Sequence, residues 1–328
     1  MIKPFETINS LGSTKFIKRP IANVGWILNK YCNYNCSYCW PWAHQSKKDF
    51  QRKNLYIIGI HEIVNQFEEN GVTQFNWGFV GGEPTFNPSF IDILNEIQSF
   101  NDEGFQMSSN LVTNLSQSPK FWYKFIEATK QFEWIAVNGS LHLESINTDD
   151  KLLKFMDKMK ILRDNNITIR SNIVLVPGQL NQIQQIYNTM NNNNLYLHVK
   201  ACKVDNKLHN GYVQEELSFL STFKSKSNME FTIQYDDNTI DTQYSFDNLL
   251  AMYGAKSFKG WMCTAGYRAI NIFPDGKVTR GAVCSVEEPD QLGNIFNGSF
   301  QLLQQPKPCV TGYNCTCIRD AKMPKWKI

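Results

Sequence analysis

Apolar positions along the chain alternate between two periods. "NVGWILNK" (23–30) is a short apolar run of the kind that forms a buried strand. In 59–70, Ile60, Ile63, Val64 and Phe67 recur at helical spacing and share one face. "TQFNWGFV" (73–80) predicts a second strand, ending in Gly81-Gly82. Asn87-Pro88 supplies an N-cap and a first-turn proline for a helix carrying Phe90, Ile91, Leu94 and Ile97. A strand at 105–114 follows, Ser118-Pro119 opens another helix by the same device, and 133–141 is the next strand. A helix from about Thr148 buries Leu152, Phe155, Met156 and Met159. Strands at 167–176 and 195–201 flank a helix near 180–190 with Leu180, Ile183, Ile186 and Tyr187 on its apolar face.

After the first strand, strands recur roughly every 30 residues, the length of one βα unit. The pattern predicts an α/β fold in which a parallel sheet curls into a partial (βα)6 TIM-like barrel over residues 21–205, behind an N-terminal extension, 1–20. By analogy with complete barrels, loops at the C-terminal strand ends carry the chemistry. After about residue 205 the rhythm breaks. Residues 206–260 are polar and mixed, and read as a connecting segment that sets substrate specificity. From 261 to 328 a small C-terminal α+β, cysteine-rich domain is expected, and "YRAINIFPDGKVTRGAV" (267–283) carries a hairpin signal around Pro274-Asp275-Gly276.

Composition narrows the chemistry. Hydrophobic residues make up 42% of the 328, enough for a sizeable core. A net charge of +3 is too mild to argue for a nucleic-acid or anionic-membrane partner. There is no apolar run of roughly 18 residues and no signal-peptide core at the start, so a cytoplasmic protein is expected. The nine cysteines, without a secretion signal, point to metal or redox chemistry rather than disulfides. Packing as a small hydrophobe suits Cys202; it does not suit Cys32, Cys36 and Cys39 in "CNYNCSYCW" (32–40). Three thiolates leave one metal position open, as a catalytic centre needs; a structural zinc site completed by His44 is the competing reading.

The surrounding residues carry a resemblance. The C-x3-C-x2-C after the first strand, with Tyr38 before its third cysteine, and Gly81-Gly82-Glu83-Pro84 directly after the second strand are similar to the radical SAM superfamily. The resemblance implies a [4Fe–4S] cluster on Cys32, Cys36 and Cys39, whose fourth iron is chelated by S-adenosylmethionine, and a 5′-deoxyadenosyl radical made by reductive cleavage. It implies that Gly81, Gly82, Glu83 and Pro84 line the methionyl end of the cofactor. Glycines there admit close backbone approach, and Glu83 offers a carboxylate near a cationic amine. "VTNL" (112–115) resembles the family's Thr-Asn-Gly segment through Asn114, with Leu115 replacing glycine. Ser140 in "NGSLHLE" (138–144) stands where the family often contacts the ribose, and Asn172 is placed to face the cofactor. Each of these polar residues also has a plain reading, as a partner for strand-end backbone. Trp40 and Trp42 either wall the cluster or pack.

Cys263, Cys284, Cys309, Cys315 and Cys317 resemble the SPASM and twitch extensions. With five cysteines, this implies one auxiliary [4Fe–4S] cluster on four of them, with a role in electron transfer; a structural zinc ribbon is the alternative. Two departures stand out: Gly276 lies eight residues before Cys284, and five thiols exceed four positions. Cys202, after the sixth strand, is a candidate hydrogen donor of the kind some radical SAM epimerases use. The expected activity is that of a radical SAM oxidoreductase, foremost a peptide-modifying maturase. A small-molecule dehydrogenase or epimerase is the alternative, and a non-catalytic iron–sulfur carrier or scaffold is the rival of another class. A flavodoxin- or ferredoxin-type reductant is implied. The 31 residues before the first cysteine are too few for an added peptide-recognition domain, and the terminal glycine pair of molybdopterin-pathway cyclases is absent.

Overall fold

The computed structural model describes residues 8–11, 21–39, 45–204, 207–223, 231–235, 240–243, 259–281, 291–309 and 325–326. Trp40, Trp42, His44, Cys284, Cys315 and Cys317 lie outside them.

Six parallel strands carry the predicted rhythm: β1 (Ile21–Asn29), β2 (Gln74–Gly81), β3 (Gln106–Thr113), β4 (Trp134–Leu141), β5 (Thr168–Leu175) and β6 (Leu197–Ala201). Between them run helices α1 (Lys53–Glu69), α2 (Phe90–Ser99), α3 (Pro119–Glu127), α4 (Asp149–Asp164) and α5 (Leu180–Asn192). The sheet pairs these six strands in chain order, so each crossover returns to the neighbouring strand. This is the α/β architecture that the apolar periods predict.

Period-two alternation sorts the strand residues onto two faces. One face packs under the helices and is aromatic. Trp26 of β1 and Trp77 and Phe79 of β2 are wholly buried, with the Trp26 ring 6.1 Å from Trp77 and 6.3 Å from Phe79. Burial of a Phe-sized side chain stabilises by about 1.5–3 kcal/mol, so this layer anchors the first two strands, which bear the principal motifs. The other face is polar. Asn110 Nδ2 donates to Asn76 Oδ1 at 3.0 Å, and Asn76 Nδ2 donates to Asn23 Oδ1 at 3.1 Å, an amide ladder across β3, β2 and β1.

Local details depart from the sequence reading. The second helix begins at Phe90, with Ser89 at its N-cap; Asn87 instead uses Oδ1 to accept the Ser89 N–H at 3.0 Å and Nδ2 to hold Tyr56. Pro119 does open α3, but the Ser118 side chain makes no capping bond. The first helix starts six residues earlier than its apolar stripe predicts, at Lys53 rather than residue 59.

The hairpin signal at 267–283 is realised by β7 (Ala269–Ile272) and β8 (Lys277–Thr279), followed by β9 (Gln291–Asn294). This hairpin does not form a sheet of its own. β7 pairs in parallel with β1, from Ala269 opposite Asn23 to Ile272 opposite Trp26, so the hairpin extends the parallel sheet at its first edge. An edge strand leaves backbone donors and acceptors unmet, and β7 supplies them. A second sheet joins Ile8–Leu11, Phe231–Tyr235, Ile240–Gln243, Met262–Cys263, Lys307–Pro308 and Lys325–Trp326.

Candidate active site

The cysteine loop leaves the end of β1 and is tied down on several sides. Lys30 and Tyr31 donate their N–H groups to the Asp49 carboxylate at 2.8 and 3.1 Å, and Cys32 N donates to Gln45 O at 3.1 Å. The end of β2 meets the same segment: Gly82 N donates to Asn29 O at 2.8 Å and Glu83 N to Tyr31 O at 2.7 Å. The buried Asn29 amide closes the joint by donating to Tyr31 O and Glu83 O.

Both glycines are explained by this crossing. A Cβ on Gly82 would stand 2.3 Å from the carbonyl oxygens of both Lys30 and Tyr31, and one on Gly81 would stand 2.2 Å from Asn29 O. The resemblance assigns their smallness to a ligand; in the structure the chain's own backbone fills that space.

Glu83 departs further from expectation. Its side chain is fully buried and turned into the protein. Oε1 accepts from Thr85 N at 3.2 Å, Thr85 Oγ1 at 2.6 Å and Thr113 Oγ1 at 2.7 Å, while Oε2 accepts from Asn114 N at 2.5 Å. Burial pushes this carboxyl above its ordinary range, against four hydrogen bonds that favour the anion. A carboxylate so occupied is a strut joining the ends of β2 and β3, in place of the free partner for an amine that the motif suggested. Pro84 opens a short 3-10 turn, Pro84–Phe86, which presents Thr85 to Glu83.

The third strand end reaches the cysteines directly. Asn114 Nδ2 lies 4.0 Å from Cys32 Sγ and donates to Asn33 Oδ1 at 2.9 Å. Leu115, where the resembled segment has glycine, adopts a left-handed φ of 54°. The backbone there keeps the glycine conformation, and the wholly buried leucine side chain fills the space beside Gly139 and Phe155.

The donor set suits thiolates. Tyr34 N is 3.4 Å from Cys32 Sγ, Asn114 reaches the same sulfur, and the charges of Cys32, Cys36 and Cys39 act on one another. Among the described residues no three His, Cys, Asp or Glu side chains converge on a single ion. The mutual influence of the three thiols puts them at one place, and three thiolates are the donors that a [4Fe–4S] cluster takes. Cys32, Cys36 and Cys39 therefore fit such a group.

Burial is the main cause that pushes the Cys32 thiol up to about 11 and the Cys36 thiol up to about 12. Both are protonated without metal near neutral pH, so loading must expel protons. Iron uptake in anaerobic reconstitution is expected to be higher at pH ~8.5 than at pH ~7. Equal uptake at the two values would contradict this.

Tyr38 is half-buried and its hydroxyl shares a 2.7 Å hydrogen bond with His142 Nδ1. Ser140 and Asn172 face each other on β4 and β5, on the polar face, and neither takes part in the bonds that hold the cysteine loop. Cys202 follows β6 at 4% exposure, its N–H shared between Tyr212 Oη at 2.6 Å and Leu175 O at 3.2 Å. Burial raises its thiol.

At the other end of the chain, Cys263 and Cys309 are both buried on paired segments: Cys309 N donates to Trp261 O at 2.7 Å, and Met262 pairs with Pro308. Ala265 N is 3.4 Å from Cys263 Sγ, the same arrangement that Tyr34 makes with Cys32. Arg280, buried at 2% exposure, donates to Ala265 O, Pro308 O and Lys307 O, and so ties the two cysteine segments together.

Three residues that no sequence pattern marks also reach the cysteine loop: Asp49, His142 and Glu144. The last two lie beside Ser140 in "NGSLHLE". Asp49 stands in a polar stretch with no period to mark it.

A sheet with six parallel strands in chain order, whose first three strand ends hold a C-x3-C-x2-C loop, defines a class. The family model of the radical SAM superfamily matches residues 26–190, half of the chain, and the chain belongs to that superfamily. Its members are enzymes that use S-adenosylmethionine and a [4Fe–4S] cluster.

Among curated proteins the chain is 23% identical over 194 residues to a probable GTP 3',8-cyclase of Thermoplasma volcanium; the match covers 53% of this chain and 55% of that protein's length. Among solved structures it resembles native anSMEcpe with bound AdoMet and Kp18Cys peptide (TM-score 0.55, 17% identity, 85% of this chain and 78% of that one). It also resembles native anSMEcpe with bound AdoMet alone (TM-score 0.55, 17% identity, 85% and 79%). At these identities the likeness is one of fold.

Proposed function

We propose that this chain is a peptide-modifying radical SAM oxidoreductase with a second, auxiliary [4Fe–4S] cluster. The observation that carries the first half is the cysteine loop itself, locked to Gly82, Glu83 and Asn114 with N–H donors aimed at Cys32 sulfur. When bound, the cluster and S-adenosylmethionine supply one electron and a 5′-deoxyadenosyl radical that takes hydrogen from substrate. Cys32, Cys36 and Cys39 hold the cluster, and Asn114 orients Cys32. Glu83 keeps the three strand ends in register, so that a small shift in one is felt by the thiols. Tyr38, Gly81, Gly82, Pro84, Ser140 and Asn172 make up the cofactor's surroundings.

The auxiliary cluster rests on Cys263, Cys309 and two of Cys284, Cys315 and Cys317. The shared N–H to sulfur arrangement at Cys32 and Cys263, and the arginine that joins the two cysteine segments, support it. A peptide substrate is favoured by a structural neighbour that holds a peptide. The curated relative, named a probable GTP cyclase, supports a small-molecule substrate as the second reading. Cys202 serves as hydrogen donor only in the epimerase form of that reading. The electron comes from a flavodoxin- or ferredoxin-type reductant. No described helix is long and apolar enough to cross a membrane.

Iron counting on the reconstituted protein tests the two-cluster assignment. About eight irons per chain, falling to about four in Cys263→Ala, is the expected result. About four in the wild type would remove the auxiliary cluster and leave the first standing.

A further inference from the structure

The loop after β4 grips the cysteine loop between its last two ligands. Glu144 Oε2 accepts Ser37 N at 2.7 Å, and Oε1 accepts the Ser37 hydroxyl. His142 holds the next residue: Nδ1 bonds the Tyr38 hydroxyl at 2.7 Å, and its ring stacks on Tyr38, centroids 5.9 Å apart at 24°. Tyr34 meets the other part of the histidine edge-on, at 5.9 Å and 87°. Ser37 and Tyr38 are the two residues between Cys36 and Cys39, and each has one partner on the β4 loop. Within the cysteine loop, Cys39 N to Cys36 O at 3.1 Å closes this turn, and Ser37 itself is exposed. A turn that must present two thiols in fixed directions gains its stiffness from such outside partners.

The chemistry of the Glu144 clasp adds a charge. Two donors on one residue, one to each oxygen, suit a carboxylate, and its charge acts on Cys36. A negative charge beside an iron–sulfur cluster disfavours its reduced, more negative state and lowers its potential.

We propose that His142 and Glu144 are positioning residues for the cluster loop: Glu144 fixes the Cys36–Cys39 turn and lowers the cluster's potential, and His142 fixes the Tyr38 ring. This rests on the reading that Cys32, Cys36 and Cys39 carry the cluster.

The test uses the full chain, reconstituted anaerobically, with iron and sulfide counted. The midpoint potential is read at low ionic strength by EPR, on the signal that Cys32→Ala abolishes. Glu144→Gln keeps an acceptor for Ser37 N but loses the charge; it is expected to hold wild-type iron with a midpoint shifted to more positive potential. Glu144→Ala loses the clasp as well, and cluster occupancy is expected to fall several-fold. For His142, the affinity for S-adenosylmethionine is measured in His142→Phe, Tyr38→Phe and the double variant. His142→Phe retains a stacking ring, so loss of one shared bond predicts that the double variant is no weaker than the worse single. Unchanged potential in Glu144→Gln with unchanged occupancy in Glu144→Ala would overturn the Glu144 assignment; independent, multiplying losses in the double variant would overturn that of His142. A wild-type protein that takes up no iron would refute the cluster reading itself, and with it this proposal, and is told apart because it shows before any variant is made.

Discussion

Gly82→Ala is expected to cost about 3 kcal/mol or more and to empty the cysteine site, because overpacking against rigid neighbours has few ways to relax. The new methyl would stand 2.3 Å from two backbone oxygens, those of Lys30 and Tyr31, and neither can swing aside as a side-chain tip would. Either the end of β2 withdraws, which breaks the Gly82 and Glu83 N–H bonds to Asn29 and Tyr31, or the cysteine loop moves. Gly71→Ala is the control. Gly71 has a φ of +71° with nothing within 4 Å of the added atom, so only conformational strain of about 1 kcal/mol is expected. Urea unfolding with iron counting separates the two: Gly82→Ala loses stability and iron, Gly71→Ala a little stability only. Similar outcomes for both would show that the β1–β2 crossing does not shape the site.

Glu83→Ala is the second large effect. It strands four buried donors, the N–H groups of Thr85 and Asn114 and the hydroxyls of Thr85 and Thr113, at an expected cost of about 3–5 kcal/mol. Glu83→Gln keeps the volume but must turn its amide nitrogen toward at least one N–H donor. It is expected to cost about 1–3 kcal/mol. Unfolding is measured without iron or S-adenosylmethionine, so that ligand binding cannot contribute. If Glu83 acted chiefly as a partner for the cofactor's amine, the apo variants would keep wild-type stability and lose affinity alone. That result would reverse the strut assignment.

The parallel α/β sheet was legible because its signal is repeated. Six strands and five helices each bury an apolar face, and the period recurs before any motif is considered. The cysteine triad was legible for another reason: three thiols in eight residues have few uses. What the sequence hid are the contacts between segments distant along the chain. Glu83 and its partners Thr113 and Asn114 are separated by about thirty residues, so nothing local shows that the carboxylate points inward. A glycine pair reads the same whether a ligand or a carbonyl fills the space beside it. The pairing of Ala269–Ile272 with β1 spans most of the chain, and a hairpin signal does not say which sheet it will join. His142 and Glu144 lacked a spacing to announce them, and only the fold brings them to Tyr38 and Ser37. Leu115 shows the reverse case: a departure from a motif that the backbone absorbs, keeping φ at 54° while the side chain is put to use in the core.

The central claim is that the loop at Cys32, Cys36 and Cys39 supports reductive cleavage of S-adenosylmethionine. Its most direct measurement is 5′-deoxyadenosine formed by the anaerobically reconstituted protein after addition of dithionite and S-adenosylmethionine. The wild type is expected to form it, and the Cys32→Ala/Cys36→Ala/Cys39→Ala variant to form none. Zinc without iron in the wild type, or product formation that survives loss of all three cysteines, would contradict the account.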